Sequence, residues 1–336
     1  MQGMKIAVVG CGAVGSYYGA KLCRDNQEVH FLLRSDYDTV RRKGVTIRSR
    51  EGDFKVRPKC ARTPEAIGPC DLVLIGLKTT ANDQFPKLIP PLVAPHTAVL
   101  TLQNGLGNEE QLAKLLPAEQ IMGGLAFVCL NRLEPGVVHH IDHGAIVLGE
   151  FQRWPEPRTH DIATMFRHAG IPCDVTDNLA RARWEKLTWN IPFNGLGVAS
   201  CAGLEAFAGR VDTTRLGGPC LTTDRLLQHP QWSLIARELM REGIAVARAL
   251  GLTLPEALVD KQIERTLTMG AYKSSTVLDF EKGMPLELDA LFLEPLRRAR
   301  EAKVSTPRLE ALCRVLTDVT TAGASDKTSS ARSPIV

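Results

Sequence analysis

Two groups of residues have the types and spacing that chemistry requires. The first is Lys186, Asn190 and Asn194, at i, i+4 and i+8, which would align an ammonium and two amides along one helical face. They stand at or within Leu187 to Leu204, one of the two longest uncharged stretches of the chain. A buried polar stripe needs partners: a bound anion is one answer, neighbouring backbone groups are the other, and spacing does not separate them. Pro192 lies inside the stripe and should kink or end the helix, displacing Asn194. The second group is Gly10-Cys11-Gly12-Ala13-Val14-Gly15, directly after the apolar run Lys5 to Val9 and opening a helical pattern. In such a G-x-G-x-x-G turn the first glycine permits the tight bend and the second lets the backbone approach a pyrophosphate. The third permits close packing of helix on strand. The helix N-terminus adds unpaired N–H groups and a favourable dipole for phosphate. A glycine-rich turn without a ligand is the plain alternative, and the strand–turn–helix–strand setting argues against it.

The end of the second strand discriminates between dinucleotides: an acid there binds the ribose 2′-hydroxyl of NAD, a base the 2′-phosphate of NADP. Here the strand runs into Arg34, whose planar fork suits phosphate, so NADPH is the expected cofactor. Asp36 and Asp38 follow closely and keep NAD open. Lys78 and Asn104 each follow a strand-like run, Asp71 to Leu77 and Ala98 to Leu102, at the carboxyl end where open α/β sheets bind ligands. Lys78 could reach a phosphate and Asn104 the nicotinamide or the substrate, although each alone is ordinary loop chemistry. His139, His140 and His143 fall on both faces of a strand pattern, a poor arrangement for a tetrahedral metal, and no metal site is expected. Trp184 and Trp189 read as packing residues.

The elements that must position these groups come in two styles. Up to about residue 178, short β-like runs alternate with helical patterns, which argues for a mostly parallel α/β sheet. Strand-like runs between Met122 and Glu150 suggest an antiparallel edge. Beyond that, Leu179 to Asn190, Leu234 to Leu250, Pro255 to Leu267 and Arg308 to Val319 have helical spacing. In the second of these, Leu234, Leu239, Ile244, Ala247 and Leu250 would form one apolar face. Arg215 to Trp232 reads as an extended connection, and the Ser/Thr/Ala-rich end as a disordered tail. The organisation expected is 1–178, 179–319 and a tail over 320–336. A length of 336 residues fits two domains at roughly 150 residues each.

Composition narrows the function class. Charged residues make up 23% and apolar ones 44%, and the net charge is +4 with no block of like charge. Neither a nucleic-acid partner nor a membrane surface is expected. No apolar run reaches the ~20 residues of a membrane span, and the N-terminus lacks the longer apolar segment of a secretory signal. Nine scattered cysteines without a C-x-x-C pair read as reduced thiols in a cytoplasmic protein.

Taken together, these residues resemble the ketopantoate reductase (2-dehydropantoate 2-reductase) family. The matching pieces are the glycine motif, Leu77-Lys78, Gln103-Asn104-Gly105 and Trp184-x-Lys186-Leu187-x-x-Asn190. Lys273-Ser274-Ser275-Thr276-Val277-Leu278-Asp279 and Glu287-Leu288-Asp289 complete the set. Order and spacing agree from about Met4 to Asp318. The resemblance implies an N-terminal Rossmann-type domain that binds NADPH, a helical substrate and catalytic domain, and a cleft between them. It implies reduction of a small 2-keto acid, 2-dehydropantoate, to (R)-pantoate on the way to pantothenate and coenzyme A. By motif, Lys186 matches the catalytic lysine and Glu287 the acid that holds the substrate's hydroxyl. Asn190, Asn194 and Ser275 match substrate-binding positions, Asn104 a residue near the reacting centre, and Arg34 the 2′-phosphate contact. Two other readings stay open: a paralogue that reduces another 2-keto acid or an opine-type dehydrogenase, and an NADP-sensing binding protein. A homodimer is among the assemblies left open.

Overall fold

A computed structural model describes residues 3–209 and 218–330, the side chains of 323–330 excepted. The chain divides into two compact units, Met1–Ala182 and Arg183–Val336. The boundary falls inside the helix Leu179–Ala199, four residues after the expected one.

The first unit is built on one mixed sheet. Its strands are β1 (Lys5–Val9), β2 (Glu28–Leu32), β3 (Val45–Ser49), β4 (Phe54–Val56), β5 (Lys59–Ala61), β6 (Leu72–Ile75), β7 (Ala98–Thr101), β8 (Ile121–Glu134), β9 (Val137–Glu150) and β10 (Cys173–Val175). The order is β4-β3-β9-β8-β7-β6-β1-β2-β5, with β10 beside β9. Ile6–Val9 of β1, all of β6 and Ala98–Leu100 of β7 are apolar because layers cover both faces of the sheet. Ile6, Val8, Leu72 and Leu74 join one core with Tyr17, Tyr18 and Phe31. Ala7, Val9, Val73 and Ile75 join the other with Phe85, Ile89 and Val99. Parallel register brings Val9 opposite Leu32 and Ile75, and Ile75 opposite Thr101. The carboxyl ends of β1, β2, β6 and β7 therefore finish level, and the loops after them open at one edge.

Two findings differ from the sequence expectation. The antiparallel part is not an edge: β8 and β9, 14 residues each, form a hairpin within the sheet, and β3 pairs parallel to the first half of β9. Its turn is Pro135-Gly136, with Gly136 at φ 75, a backbone that glycine adopts without strain. β4, β5 and β10 have three residues each, one of them charged, too few to show a period. The histidines sit in β9, where His140 is buried. Its ring meets Ser49 Oγ at 2.9 Å and the His143 carbonyl at 2.7 Å. Among the described residues no group of three His, Cys, Asp or Glu side chains is placed to hold a metal ion.

In the second unit all the described regular structure is helical. The helix Leu179–Ala199 runs through Pro192, although proline cannot donate to the Thr188 carbonyl and costs roughly 3 kcal/mol in a helix interior. Ile191, Phe193, Leu187 and Leu196 are all buried, and each contributes roughly 1.5–3 kcal/mol, so tertiary packing outweighs the lost bond. Asn194 keeps its place on the face of Lys186 as a result. The helix Pro230–Ala249 buries Trp232, Ile235, Ala236, Leu239, Met240, Gly243, Ile244, Val246 and Ala247. Leu234 and Leu250, expected on that face, are 52% and 40% exposed. Of the expected connection Arg215 to Trp232, residues 223–228 form a helix and Pro230 opens the next; 215–217 lie outside the described residues. The final helix, Pro307–Ser330, continues past Val319 into the expected tail. Hydroxyls of Thr317, Thr320 and Thr321 fold back onto carbonyls of the same helix, so this composition breaks nothing; 331–336 lie outside the described residues. Among the described residues no helix is long and apolar enough to cross a membrane.

Candidate active site

The glycines after β1 divide their work as their spacing suggests. Gly10 has φ 92, and a Cβ there would lie 2.3 Å from the Leu77 nitrogen; only glycine makes this turn. A Cβ on Gly15 would lie 2.3 Å from the Gly10 carbonyl oxygen, so the helix Ala13–Arg24 sits directly against the turn. Gly12 is different: a Cβ there would meet nothing within 4 Å. Its backbone faces open space, as an approach to pyrophosphate requires. The helix has no side-chain cap and no acidic residue in its first turn, so its leading N–H groups and dipole suit an anion. The residues present fit a dinucleotide. Cys11 is half-buried with its thiol near the Val8 and Leu32 carbonyls. Burial, helped by Cys60 and Asp36, pushes that thiol up, so it stays neutral beside the glycine turn. Ala13 and Val14 begin the helix and pack on the core.

Beyond β2, Arg34 is exposed. Asp36 and Asp38 are each engaged by an arginine from elsewhere: Arg132 reaches Asp36 at 2.5 Å and Arg62 reaches Asp38 at 2.7 Å. Lys78 is exposed just beyond β6, and Asn104 is half-buried beyond β7. The Asn104 loop bends through Gly105 and Gly107, at φ 81 and 86. A buried amide chain supports it. Thr101 Oγ1 donates to Gln103 Oε1 (2.9 Å), Gln103 Nε2 to Asn82 Oδ1 (2.7 Å), and Asn82 Nδ2 to Asn108 Oδ1 (2.9 Å). Asn108 Nδ2 then donates to the Asn104 carbonyl (3.0 Å). Asn82 and Asn108 carry no motif, and only their meeting in space marks them. Gly10–Gly15, Arg34, Lys78 and Asn104 thus share the carboxyl edge of the sheet.

The other candidates belong to the second unit. Lys186 follows Arg183 by one helical turn, and Arg183 is buried. Burial, with the Arg183 charge adding to it and Glu287 opposing it, brings the Lys186 ammonium down to about 7. A lysine so placed carries or releases its proton near neutrality. Asn190 and Asn194 are both buried. Asn194 Oδ1 accepts the Thr276 N–H at 3.4 Å, which leaves its amide nitrogen as the group able to donate. The backbone partner anticipated for this stripe is real but 82 residues distant. That bond brings Asn194 to the start of the helix Ser275–Glu281, where Ser275 is exposed and Ser274 donates to the Phe193 carbonyl. Glu287 is half-buried two residues before the π-helical turn Asp289–Leu293. The structure therefore groups Lys186, Glu287 and Arg183, and separately links Asn194 to the Ser275 segment. Arg183 went unassigned in the sequence, although it stands in the same run as Lys186. Trp184 is buried, and Trp189 donates to Thr266 at 2.8 Å; both pack.

A Rossmann-type dinucleotide unit followed by a helical unit that carries a neutral-range lysine defines a class of nicotinamide-dependent oxidoreductases. Comparison narrows the class. Residues 6–153 match the family model described as ketopantoate reductase PanE/ApbA, and residues 219–320 match its C-terminal counterpart. The 2-dehydropantoate 2-reductase of Nostoc sp. is 37% identical over 93% of this chain and 94% of its own length. That of Halobacterium salinarum is 27% identical over 92% and 96%. A crystal structure of 2-dehydropantoate 2-reductase from Geobacter metallireducens superposes with a TM-score of 0.85 at 46% identity, covering 94% of this chain and 99% of that one. The chain belongs to the ketopantoate reductase family and is an oxidoreductase.

Proposed function

We propose that the protein reduces 2-dehydropantoate to (R)-pantoate with NADPH, a step toward pantothenate and coenzyme A. The observation that carries this reading is the buried polar stripe of one helix, Lys186 with the buried Asn190 and Asn194, where burial lowers the ammonium to about 7 and the Glu287 charge opposes that. The names of the Nostoc and Geobacter relatives supply the substrate.

In this reading Gly10–Gly15 receive the pyrophosphate, Arg34 the 2′-phosphate, and Lys78 a further phosphate oxygen, while Asn104 lies near the reacting centre. When bound, the reduced nicotinamide supplies the hydride. Lys186 donates its proton to the substrate's carbonyl oxygen as negative charge builds there, so the product is the neutral alcohol and the lysine is left as the amine. Glu287 accepts a hydrogen bond from the substrate's own hydroxyl and selects a hydroxylated acid. Asn190, Asn194 and Ser275 donate to the substrate's polar groups and hold it in register.

The test is NADPH consumption with 2-dehydropantoate set against pyruvate, 2-oxoisovalerate and oxaloacetate. The expected result is a kcat/KM for 2-dehydropantoate at least about tenfold above each of the others. Comparable rates with all four would remove the substrate assignment.

A further inference from the structure

The loop after β2 and the first turn of the helix Tyr37–Lys43 carry three charges within five residues, Arg34, Asp36 and Asp38, and the fold treats the two carboxylates differently. Asp38 points outward, with its side chain 80% exposed and Arg62 beside it. Asp36 is turned inward: its side chain is 11% exposed and accepts Arg132 at 2.5 Å. Its other oxygen is 3.1 Å from Ser35 Oγ. This loop leaves the carboxyl end of β2 beside the glycine turn: Val9 pairs with Leu32, and Cys11 Sγ lies 3.5 Å from the Leu32 carbonyl. Arg132 comes from far along the chain, 96 residues later in β8. It stands where β8 and β9 slip register, between Arg132 and Glu134, an irregularity of the kind that re-aims a side chain.

A bare carboxylate at this place would act twice on a dinucleotide. It would accept the 2′-hydroxyl of NADH, and it would repel the 2′-phosphate of NADPH. Held by Arg132 it does neither, because its charge is balanced and each oxygen already accepts a hydrogen bond. We propose that Arg132 is a specificity-determining residue that acts through Asp36: by holding this carboxylate it leaves Arg34 as the charge that a 2′-phosphate meets, and so sets the preference for NADPH over NADH. This rests on the NADPH reading above. The bland role for the pair is to fasten the β2 loop to the hairpin, and a fastener would affect both dinucleotides alike.

The experiment is fluorescence titration of NADPH and NADH into the full-length protein, with melting temperatures recorded for every variant. Adenosine 2′,5′-bisphosphate and 5′-AMP serve as probes that report the 2′-phosphate alone. The wild type should bind NADPH at least about tenfold more tightly than NADH. Arg132→Met should lower that preference about tenfold, chiefly by weakening NADPH and the bisphosphate. Arg132→Lys should keep the preference within about threefold of the wild type, because it restores the charge. The double variant Asp36→Asn/Arg132→Met should recover it to the same extent, since the carboxylate needing a partner is gone. Should Arg132→Met fail to fold, Asp36→Asn alone must retain the NADPH preference. Equal weakening of both cofactors in Arg132→Met would overturn the proposal, as would a double variant no better than the single one, which would mean Arg132 touches the phosphate directly. A wild type without NADPH preference overturns the cofactor reading and this inference together; a wild type that prefers NADPH, with an unmoved ratio in Arg132→Met, overturns the inference alone.

Discussion

At the residue scale, Lys186 is useful because its ammonium is unstable where it sits. Burial and the Arg183 charge lower it to about 7, so it is a far better proton donor than a solvated lysine. Lys186→Ala should reduce kcat by about 10²–10⁴-fold, the range for losing a general acid, with NADPH affinity nearly unchanged; a near-normal kcat would remove the lysine from the mechanism. The sign of the pH effect follows. If Lys186 is the proton donor proposed, the reduction needs its protonated form, and kcat/KM should fall as pH rises through about 7. Arg183→Met removes a charge that lowers Lys186 and should move this limb to higher pH. Glu287→Gln removes one that raises it and should move the limb lower. A limb unmoved by either variant would place the titration elsewhere. Arg34 makes a separate claim: Arg34→Ala should weaken NADPH by roughly 1.5–3 kcal/mol, the scale of a charge-assisted hydrogen bond, and leave NADH little affected. Equal losses would make Arg34 structural.

At the scale of elements, the turn from β1 into the helix Ala13–Arg24 separates folding from binding within three residues. Gly15→Ala forces a methyl to 2.3 Å from the Gly10 carbonyl oxygen, and since backbone cannot yield as a side chain does, stability should fall by about 1–3 kcal/mol. Gly12→Ala meets nothing within 4 Å, and φ −73 at this position suits alanine. Its melting temperature should stay within about 2 °C of wild type. Dinucleotide affinity should nonetheless fall at least about tenfold, because the methyl takes the space through which the backbone approaches the pyrophosphate. Thermal unfolding and cofactor titration on the same two variants check both halves. If Gly12→Ala binds normally, the open space beside it is not the cofactor's approach.

For the whole molecule, the same lysine links activity to stability. In the unfolded chain Lys186 titrates near the ordinary ~10.4, and in the fold at about 7. Between these values the unfolded state binds a proton that the folded state lacks, so this group makes stability rise with pH across that window. Below pH 7 both states are protonated and the fold bears the full cost of the buried charge. Lys186→Met should therefore stabilise the protein below pH 7, by roughly 2–5 kcal/mol. The gain should shrink toward pH 10. Denaturant unfolding at pH 6 and pH 9.5 measures it, and a gain equal at both pH values would mean that the lysine is not charged against its surroundings.

Local geometry was legible in the sequence wherever a feature depends on near neighbours. The tight turn at Gly10, the close packing at Gly15, the buried strands β1, β6 and β7, and the shared face of Lys186 and Asn190 all follow from turn chemistry and from the periods of strand and helix. Short charged strands such as β4 and β5 have no period to read, and they exist because longer neighbours offer them a ladder. Pro192 does not end its helix for the converse reason, since the apolar side chains around it outweigh a local rule. Two electrostatic facts were decided by the tertiary structure alone. Asp36 stands two residues from Arg34 in the chain, yet its charge is answered from β8, 96 residues away. Lys186 has an ordinary sequence context, yet burial beside Arg183 and Glu287 sets its acidity. Sequence spacing specifies which groups share an element, but a group's charge depends on what the fold places around it.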